Sequence, residues 1–147
     1  MQIAPDHYVE EIEALLRHVG AIVRKRGRDI LSHFDITPPQ FDALLFLREH
    51  GELTMGELCQ KMYLACSTAT DLIDRMERND LIERERDSED RRVIRLKTKP
   101  KGLQIIEEVL KARKKYLSTV LAQVEDEDKD QLIRALGQIH RLMTKEV

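Results

Sequence analysis

One segment of the sequence concentrates positive charge. From position 84 to position 101 there are eight basic and four acidic residues, a local charge of +4 in a chain whose formal net charge is −2. The rest of the chain therefore sums to −6. Guanidinium and ammonium groups gathered on one part of an acidic protein are typical of a surface that binds phosphate groups. This charge pattern predicts a phosphate-binding surface on residues 84–101.

A set of polar residues just before this segment could form hydrogen bonds with a nucleic acid. Between positions 67 and 78, hydroxyl, carboxylate and guanidinium side chains recur at helical spacing, opposite an apolar stripe. Hydroxyl groups donate and accept hydrogen bonds, and an arginine can bind guanine through two of them. The candidate residues are Ser67, Thr68, Thr70, Asp71, Arg75 and Arg78. The alternative is that residues 67–71 form an ordinary solvated first turn of a helix.

Three carboxylates within the basic segment need an explanation, because carboxylates repel phosphates. They are Asp87, Glu89 and Asp90. Aspartate is favoured in turns, and a carboxylate beside an arginine can hold the guanidinium in one direction before DNA binds. We expect Asp90 to orient Arg91 or Arg92 in this way. The alternative is that these acidic residues only keep an exposed segment soluble.

Local patterns predict the helices that would position these residues. Thr54 and Glu57 have the spacing of a capping box, so a short helix should begin at Met55. A second helix covers about 67–78 and ends at the Asn-Asp pair 79–80, which tolerates the left-handed conformation. The apolar stripe of that second helix consists of Ala69, Leu72, Ile73 and Met76.

After position 80 the pattern changes from a helical period to a period of two residues, which is typical of strands. The candidate strands are LIERER (81–86) and VIRLKT (93–98), and a polar turn joins them. Together they predict a β-hairpin whose tip carries residues 87–92. The order helix, short helix, helix, hairpin is that of a winged helix-turn-helix, in which the third helix enters the major groove of DNA.

Long amphipathic helices are predicted on both sides of this core. Apolar residues recur at mostly three- or four-residue steps from 8 to 34 and again after Pro100. A further helix should begin after the cap residue Thr37, with Pro38 at its first position, and end near Gly51. The expected fold class is mainly α with a small β-hairpin wing. The terminal helices carry more apolar surface than a monomer normally exposes, and we therefore expect a homodimer.

Composition and motifs exclude several classes of protein. No apolar run approaches the roughly 20 residues that span a bilayer, and the N-terminal stretch MQIAPDHYVEE lacks the features of a signal peptide. We therefore expect a cytoplasmic protein that does not contact a membrane. The sequence has no paired catalytic groups and no glycine-rich phosphate loop, and its five histidines lack partners at metal-ligand spacing. We expect no catalytic residues, no metal and no cofactor.

Two further interpretations concern the cysteines and the basic hairpin. Cys59 and Cys66 are expected to be small buried hydrophobic residues, and a redox pair is the alternative. The basic hairpin could instead dock an acidic protein, which would make the chain a helical interaction module. A footprint on a promoter would distinguish DNA binding from that alternative.

The segment LCQKMYLACSTATDLIDRMERNDLIERERDSEDRRVIRLKTKPKG, residues 58–102, resembles the DNA-binding core of the MarR family of transcription regulators. The resemblance rests on the motif DRME, followed by LIERERDSEDRR, by a strand and by the start of a helix that contains a glycine. It implies a homodimeric regulator, usually a repressor, that binds a pseudo-palindromic operator in double-stranded DNA. It also implies that a small-molecule effector or an oxidant often releases the DNA.

The resemblance also implies roles for regions and residues. Residues 1–36 and 100–147 of a single domain 1–147 would form the dimerisation helices, and residues 37–99 the winged helix-turn-helix core. Asp74 would be a structural acid near the base of the wing. Asp90, Arg91 and Arg92 would be the wing tip, with an arginine entering the minor groove. Arg86, in the basic segment, is a further candidate DNA-binding residue.

The sequence departs from the family pattern at several positions. Ala65 stands where a capping serine is common, so the recognition helix is expected to start later, at Ser67. Asp80 stands where glycine is frequent. The stretch LKTKPKG lacks the usual Leu-Thr pair before the next helix. No cysteine lies in the first helix, and therefore the peroxide-sensing chemistry of one branch of the family cannot be transferred to this chain.

Overall fold

The computed structural model of the chain describes residues 7–145. The first six residues of the N-terminal stretch considered above, and of the expected region 1–36, lie outside the described residues. The described chain divides into two compact units, of which the first runs to Leu110 and the second begins at Lys111. None of the helices within 7–145 combines the length and the apolar character needed to cross a membrane.

The first unit begins with two helices, α1 (His7–Ser32) and α2 (Pro38–His50). Thr37 caps α2 through a capping box, because its hydroxyl accepts from the Gln40 amide at 3.3 Å while the Gln40 side chain accepts from the Thr37 amide at 3.1 Å. Gly51 follows α2 with a φ of 74°. The predicted cap, proline position and glycine exit of this helix are confirmed.

The next three elements are β1 (Leu53–Thr54), α3 (Met55–Lys61) and α4 (Cys66–Arg78). The capping box at the start of α3 is confirmed, since the Thr54 hydroxyl accepts from the Glu57 amide at 3.1 Å and the Glu57 carboxylate accepts from the Thr54 amide at 3.2 Å. The helix therefore begins at Met55, as its capping pattern predicts.

The start of α4 differs from the sequence expectation. The helix begins at Cys66, one residue before Ser67, and its N-cap residue Ala65 makes no side-chain hydrogen bond to the first turn. The extended conformation of Ala65, with φ −62° and ψ 145°, is enough to start the helix. Ser67 thus lies inside the first turn of α4 and does not cap it.

The wing consists of β2 (Ile82–Arg86) and β3 (Ile94–Thr98), which pair antiparallel with Arg84 opposite Leu96. This hairpin is confirmed as predicted from the period-two pattern. The sheet has a third strand that the sequence did not indicate, because β1 adds to the free edge of β3 and gives the order β1-β3-β2. A strand of two residues is too short to show any alternation.

The hydrophobic core lies in the first unit and gathers side chains from α1, α2, α3, α4, the sheet and the first turns of α5 (Pro100–Leu121). Gly102 lies buried in the first turn of α5, where α5 comes close to the backbone carbonyl of Leu81. The largest fully buried side chains of the hydrophobic core are Leu31, Phe41, Leu44, Leu58, Ile73, Met76, Ile82, Leu96, Ile106 and Val109.

The second unit contains the rest of α5 and the helix α6 (Asp126–Lys145). Acidic residues occupy the first turn of α6, where a helix N-terminus favours negative charge. α6 buries none of its described residues within the single chain, although several of its side chains are large and apolar.

Candidate nucleic-acid interface

The helix α4 has one buried face and one polar, exposed face. Ala69, Ile73 and Met76 are fully buried and attach the helix to the core. The six polar candidates of the helix all lie outside that core and are exposed to solvent. They are Ser67, Thr68, Thr70, Asp71, Arg75 and Arg78. The fold therefore leaves the predicted contact residues of α4 accessible.

The hydrogen bonds of these side chains differ along the helix. The Thr70 hydroxyl donates to the carbonyl of Cys66 at 2.8 Å, so its proton is used within the helix and its oxygen can still accept. Arg78 Nε donates to the carbonyl of Asp74 at 3.4 Å. Within residues 7–145, no side-chain partner is recorded for Ser67 or Arg75. Their polar atoms can bind an external partner.

The turn at the tip of the wing is closed by Asp87. One carboxylate oxygen of Asp87 accepts from the amides of Glu89 and Asp90, at 3.1 and 3.0 Å, and the other accepts from Arg95 Nε at 3.0 Å. The Arg95 guanidinium, followed by these two amides, holds the pKa of Asp87 below its usual range. The acidic residue thus stays charged and shapes the loop that carries the arginines.

Asp90 orients Arg92, as one form of the sequence hypothesis proposed. One carboxylate oxygen of Asp90 accepts from the backbone amide and Nε of Arg92, at 3.0 and 3.1 Å, and the other accepts from its terminal nitrogen at 3.2 Å. The Arg92 guanidinium lowers the pKa of Asp90. The Arg92 side chain is nevertheless 91% exposed, so it is held in one direction while open to solvent.

Two other arginines complete the wing tip. Arg86 donates to the carbonyl of Arg91 at 3.4 Å, and both side chains are exposed. No described residue accepts a hydrogen bond from the Arg91 guanidinium. Three guanidinium groups therefore lie at or next to the tip, and those of Arg86 and Arg91 have no carboxylate partner in the part of the chain that the structure describes.

The base of the wing is joined to α4 by ion pairs. Arg84 on β2 pairs with Asp74 on α4 and also lies 3.9 Å from a carboxylate oxygen of Glu77. Lys99 pairs with Asp80 just after α4, and this contact lowers the pKa of the Asp80 carboxyl. The role expected for Asp74, a structural acid near the base of the wing, agrees with this geometry.

Ion pairs within the chain reduce the positive charge of residues 84–101 that is available to bind a phosphate. Five of the eight basic residues in 84–101 form ion pairs with described carboxylates: Arg84, Arg92, Arg95, Lys97 and Lys99. Much of the positive charge is therefore balanced by carboxylates of the same chain. The three basic residues of this segment without an ion pair to a described carboxylate are Arg86 and Arg91 on the wing and Lys101 on α5.

The structure is a winged helix-turn-helix with an exposed polar helix and an arginine-tipped wing. The protein-family model of the MarR family matches residues 36–94 of this chain. Over 128 residues, 87% of this chain and 88% of the relative, the sequence is 50% identical to YsmB, an uncharacterized HTH-type transcriptional regulator of Bacillus subtilis (strain 168). This chain belongs to the MarR family.

A solved MarR family protein from Bacillus stearothermophilus is 48% identical and superposes with a TM-score of 0.90, covering 97% of this chain and 99% of that one. The HTH-type transcriptional repressor MdtR of Bacillus subtilis (strain 168) is 29% identical over 84% of this chain and 79% of that protein. The resemblance and the fold class expected from the sequence are thus confirmed. The chain is a MarR-family DNA-binding transcriptional regulator, a class of protein that is not enzymatic.

The two cysteines of this MarR-family protein do not both fit the sequence expectation. Cys59 is buried as expected, but Cys66 is exposed, because it is the first residue of α4 and faces away from the core. Burial raises the pKa of the Cys59 thiol, and a hydrogen bond with the Cys66 thiol raises it further. The interpretation of Cys66 as a buried hydrophobic residue is wrong.

Proposed function

We propose that this chain is a homodimeric, ligand-responsive repressor that binds a pseudo-palindromic operator. The observation that carries the proposal is the pairing of an exposed polar face on α4 with an arginine-tipped wing, joined by the contact between Arg84 and Asp74. Because this contact links the two elements at their base, both can engage one duplex together.

In this proposal α4 enters the major groove with its first turn foremost. The N-terminal residues of a recognition helix are those that reach base edges. Ser67 and Thr68 have hydroxyl groups there, and Thr70 and Asp71 follow on the same exposed side. Arg75 and Arg78 lie one and two turns further along and would bind phosphates or guanine.

The wing would enter the adjacent minor groove. A narrow minor groove concentrates negative potential and attracts arginine side chains. Asp90 holds the Arg92 side chain before DNA arrives, so less conformational freedom is lost on binding. Arg91 and Arg86 would bind the phosphates that line the groove, since neither guanidinium has a described carboxylate partner.

Exposed apolar side chains on the terminal helices support the homodimer. On α1 they recur at helical spacing, and α6 exposes a second set; soluble monomers rarely expose contiguous patches of this kind. The two sets are Val9, Ile12, Leu16, Val19 and Val23 on α1, and Leu132, Ile133, Leu136 and Met143 on α6. Residues 1–36 and 100–147 would thus pair two copies, while each copy presents its core 37–99 to one half-site about 34 Å from the other.

A repressor function agrees with the name of the relative MdtR. A small-molecule effector would act by changing the angle between the dimer helices and the winged core, so that both recognition helices leave their half-sites together. A coupling of about 1–3 kcal/mol changes affinity roughly 5- to 150-fold. A regulator of this kind works at the operator DNA, in the cytoplasm.

The test is to select bound DNA from a pool of random duplexes with the full-length protein. We expect a two-fold-symmetric site, bound by two copies as measured by sedimentation, with an affinity that falls steeply as salt increases. Recovery of no preferred duplex, together with capture of the protein by an acidic partner protein, would support the interaction-module alternative. A symmetric site bound by one copy would refute the dimer but not the DNA binding.

A further inference from the structure

Tyr63, in the turn between α3 and α4, combines a left-handed backbone conformation with an exposed side chain. Its φ is 53°, and its side chain is 88% exposed. Its amide donates to the carbonyl of Gln60 at 3.3 Å, and the amide of Leu64 donates to the carbonyl of Cys59 at 3.1 Å. These two bonds form a Schellman motif, in which the residue at the position of Tyr63 must be left-handed and is usually glycine.

The same motif ends α4, where an aspartate occupies the left-handed position. Asp80 has a φ of 64°, and the amides of Asp80 and Leu81 donate to the carbonyls of Glu77 and Met76 at 3.1 and 3.0 Å. Aspartate tolerates the left-handed region, and the Asp80 carboxylate also pairs with Lys99. Tyrosine has no such tolerance, since a bulky residue with positive φ is an outlier.

Packing does not explain the tyrosine. Its ring is largely in solvent, and no described residue is recorded as a partner of its hydroxyl. The turn would form at least as well with glycine, which adopts a positive φ without steric cost. A strained side chain that contributes nothing to the core is typical of a functional position.

The position of Tyr63 points to the phosphates beside the major groove. Tyr63 precedes the N-cap residue Ala65 by two residues, and two residues of extended chain span about 7 Å at most. The major groove is about 12 Å wide. When the first turn of α4 lies in the groove, Tyr63 is therefore close enough for its exposed side chain to reach the phosphates at the rim of the groove.

We propose that the Tyr63 hydroxyl donates a hydrogen bond to a DNA phosphate at the rim of the major groove. This contact deepens the proposed function and rests on it. Tyrosine is among the side chains that bind phosphate oxygens, and such contacts set the orientation of the protein on the duplex without reading its sequence. Tyr63 is thus a positioning residue for the first turn of α4.

The test compares Tyr63→Phe and Tyr63→Gly with Asp35→Gly. Asp35 lies in the connection between α1 and α2, is exposed and has the same φ of 53°, so its replacement places a glycine at a left-handed position outside the helix-turn-helix. The probes are the duplex selected by the wild-type protein and the same duplex with one base pair of a half-site changed. Affinity is measured at several salt concentrations, and stability by thermal unfolding.

Tyr63→Phe should lower the affinity by at least about tenfold per half-site, the range of one hydrogen bond to a charged acceptor, and by the same factor for both duplexes. The slope of log affinity against log salt should not change, because no charge is lost. Tyr63→Gly should lower the affinity at least as much while its melting temperature is equal to or above that of the wild type. Asp35→Gly should keep wild-type affinity.

Three results would overturn the contact while the wild type still binds DNA. These are a wild-type affinity for Tyr63→Phe, a loss that differs between the two duplexes, or an equal loss for Asp35→Gly. Failure of the wild-type protein to select any preferred duplex would refute the proposed function itself, which is a different outcome.

Discussion

Replacement of Gly102 by alanine tests how closely α5 approaches the base of the wing. A Cβ atom at position 102 would lie 2.5 Å from the carbonyl oxygen of Leu81, 2.9 Å from the Thr98 methyl group and 3.2 Å from a methyl group of Leu44. The Leu81 carbonyl also accepts from the Lys99 amide at 2.9 Å, so this oxygen is already held by the backbone that leads into α5. Either α5 or the wing base must move.

The expected loss in the free energy of unfolding of Gly102→Ala follows from two opposing effects. Alanine gains up to about 1 kcal/mol over glycine in helix propensity, and less in a first turn. Overpacking of a close-packed site costs about 1–3 kcal/mol, and strain on the Leu81 hydrogen bond adds about 1 kcal/mol. The net loss should be about 2 kcal/mol, which corresponds to a fall in melting temperature of roughly 4–8 °C.

The assay is chemical and thermal unfolding at one fixed protein concentration, because association contributes to the measured stability of a dimer. Gly56→Ala is the matched control: at Gly56 the nearest atom to an added Cβ is the Thr54 hydroxyl oxygen at 4.0 Å, so the change should be neutral or stabilising. A Gly102→Ala protein as stable as the wild type would refute the close approach of α5 to Leu81.

Three further changes test the wing and the helix cap. Arg92→Ala should weaken operator binding and reduce the salt slope by about two units in a gel-shift titration, about one for each copy in the dimer, whereas Arg134→Ala on α6 should leave both unchanged; equal slopes for the two variants would remove Arg92 from the interface. Thr54→Ala should lower the free energy of unfolding by about 1 kcal/mol and Thr54→Ser by much less, because only the serine keeps the cap; equal losses would mean that the hydroxyl does not cap α3. Since Arg92 depresses the pKa of folded Asp90, their contact is complete above the ordinary aspartate pKa of about 4 and is lost as pH falls through the lower folded value. The NMR signal of Arg92 Nε should therefore stay constant from about pH 7 to pH 5 and shift only below about pH 4; a shift near neutral pH would contradict the pairing.

Much of the fold could be predicted because its signals are local. The sequence predicts a cap at Thr37 and a capping box of Thr54 with Glu57, and both formed; Thr37 also forms a capping box with Gln40, which was not predicted. The change from helical to alternating pattern located the wing, since β2 and β3 each show the period of a pleated strand. Each of these signals involves residues within about one helical turn or one strand pair, whose geometry the backbone determines.

The sequence predicted which residues make up the candidate site and one of its internal contacts. The ten candidate residues lie on α4 and the wing, and nine of them are exposed, while Asp90 is half-buried beneath Arg92. The contact between Asp90 and Arg92 could be proposed because the two residues are close in sequence. Their binding to DNA stays a prediction.

What the sequence by itself determined are the elements with local signatures: the caps, the apolar stripe of α4, the hairpin and the arginines at its tip. Only the tertiary structure decided that β1 joins the sheet, that Arg95 binds Asp87 and that Cys66 is exposed. The physical reason is that a contact between distant residues depends on strand register and on the packing of helices around a shared core. No short stretch of sequence contains that information.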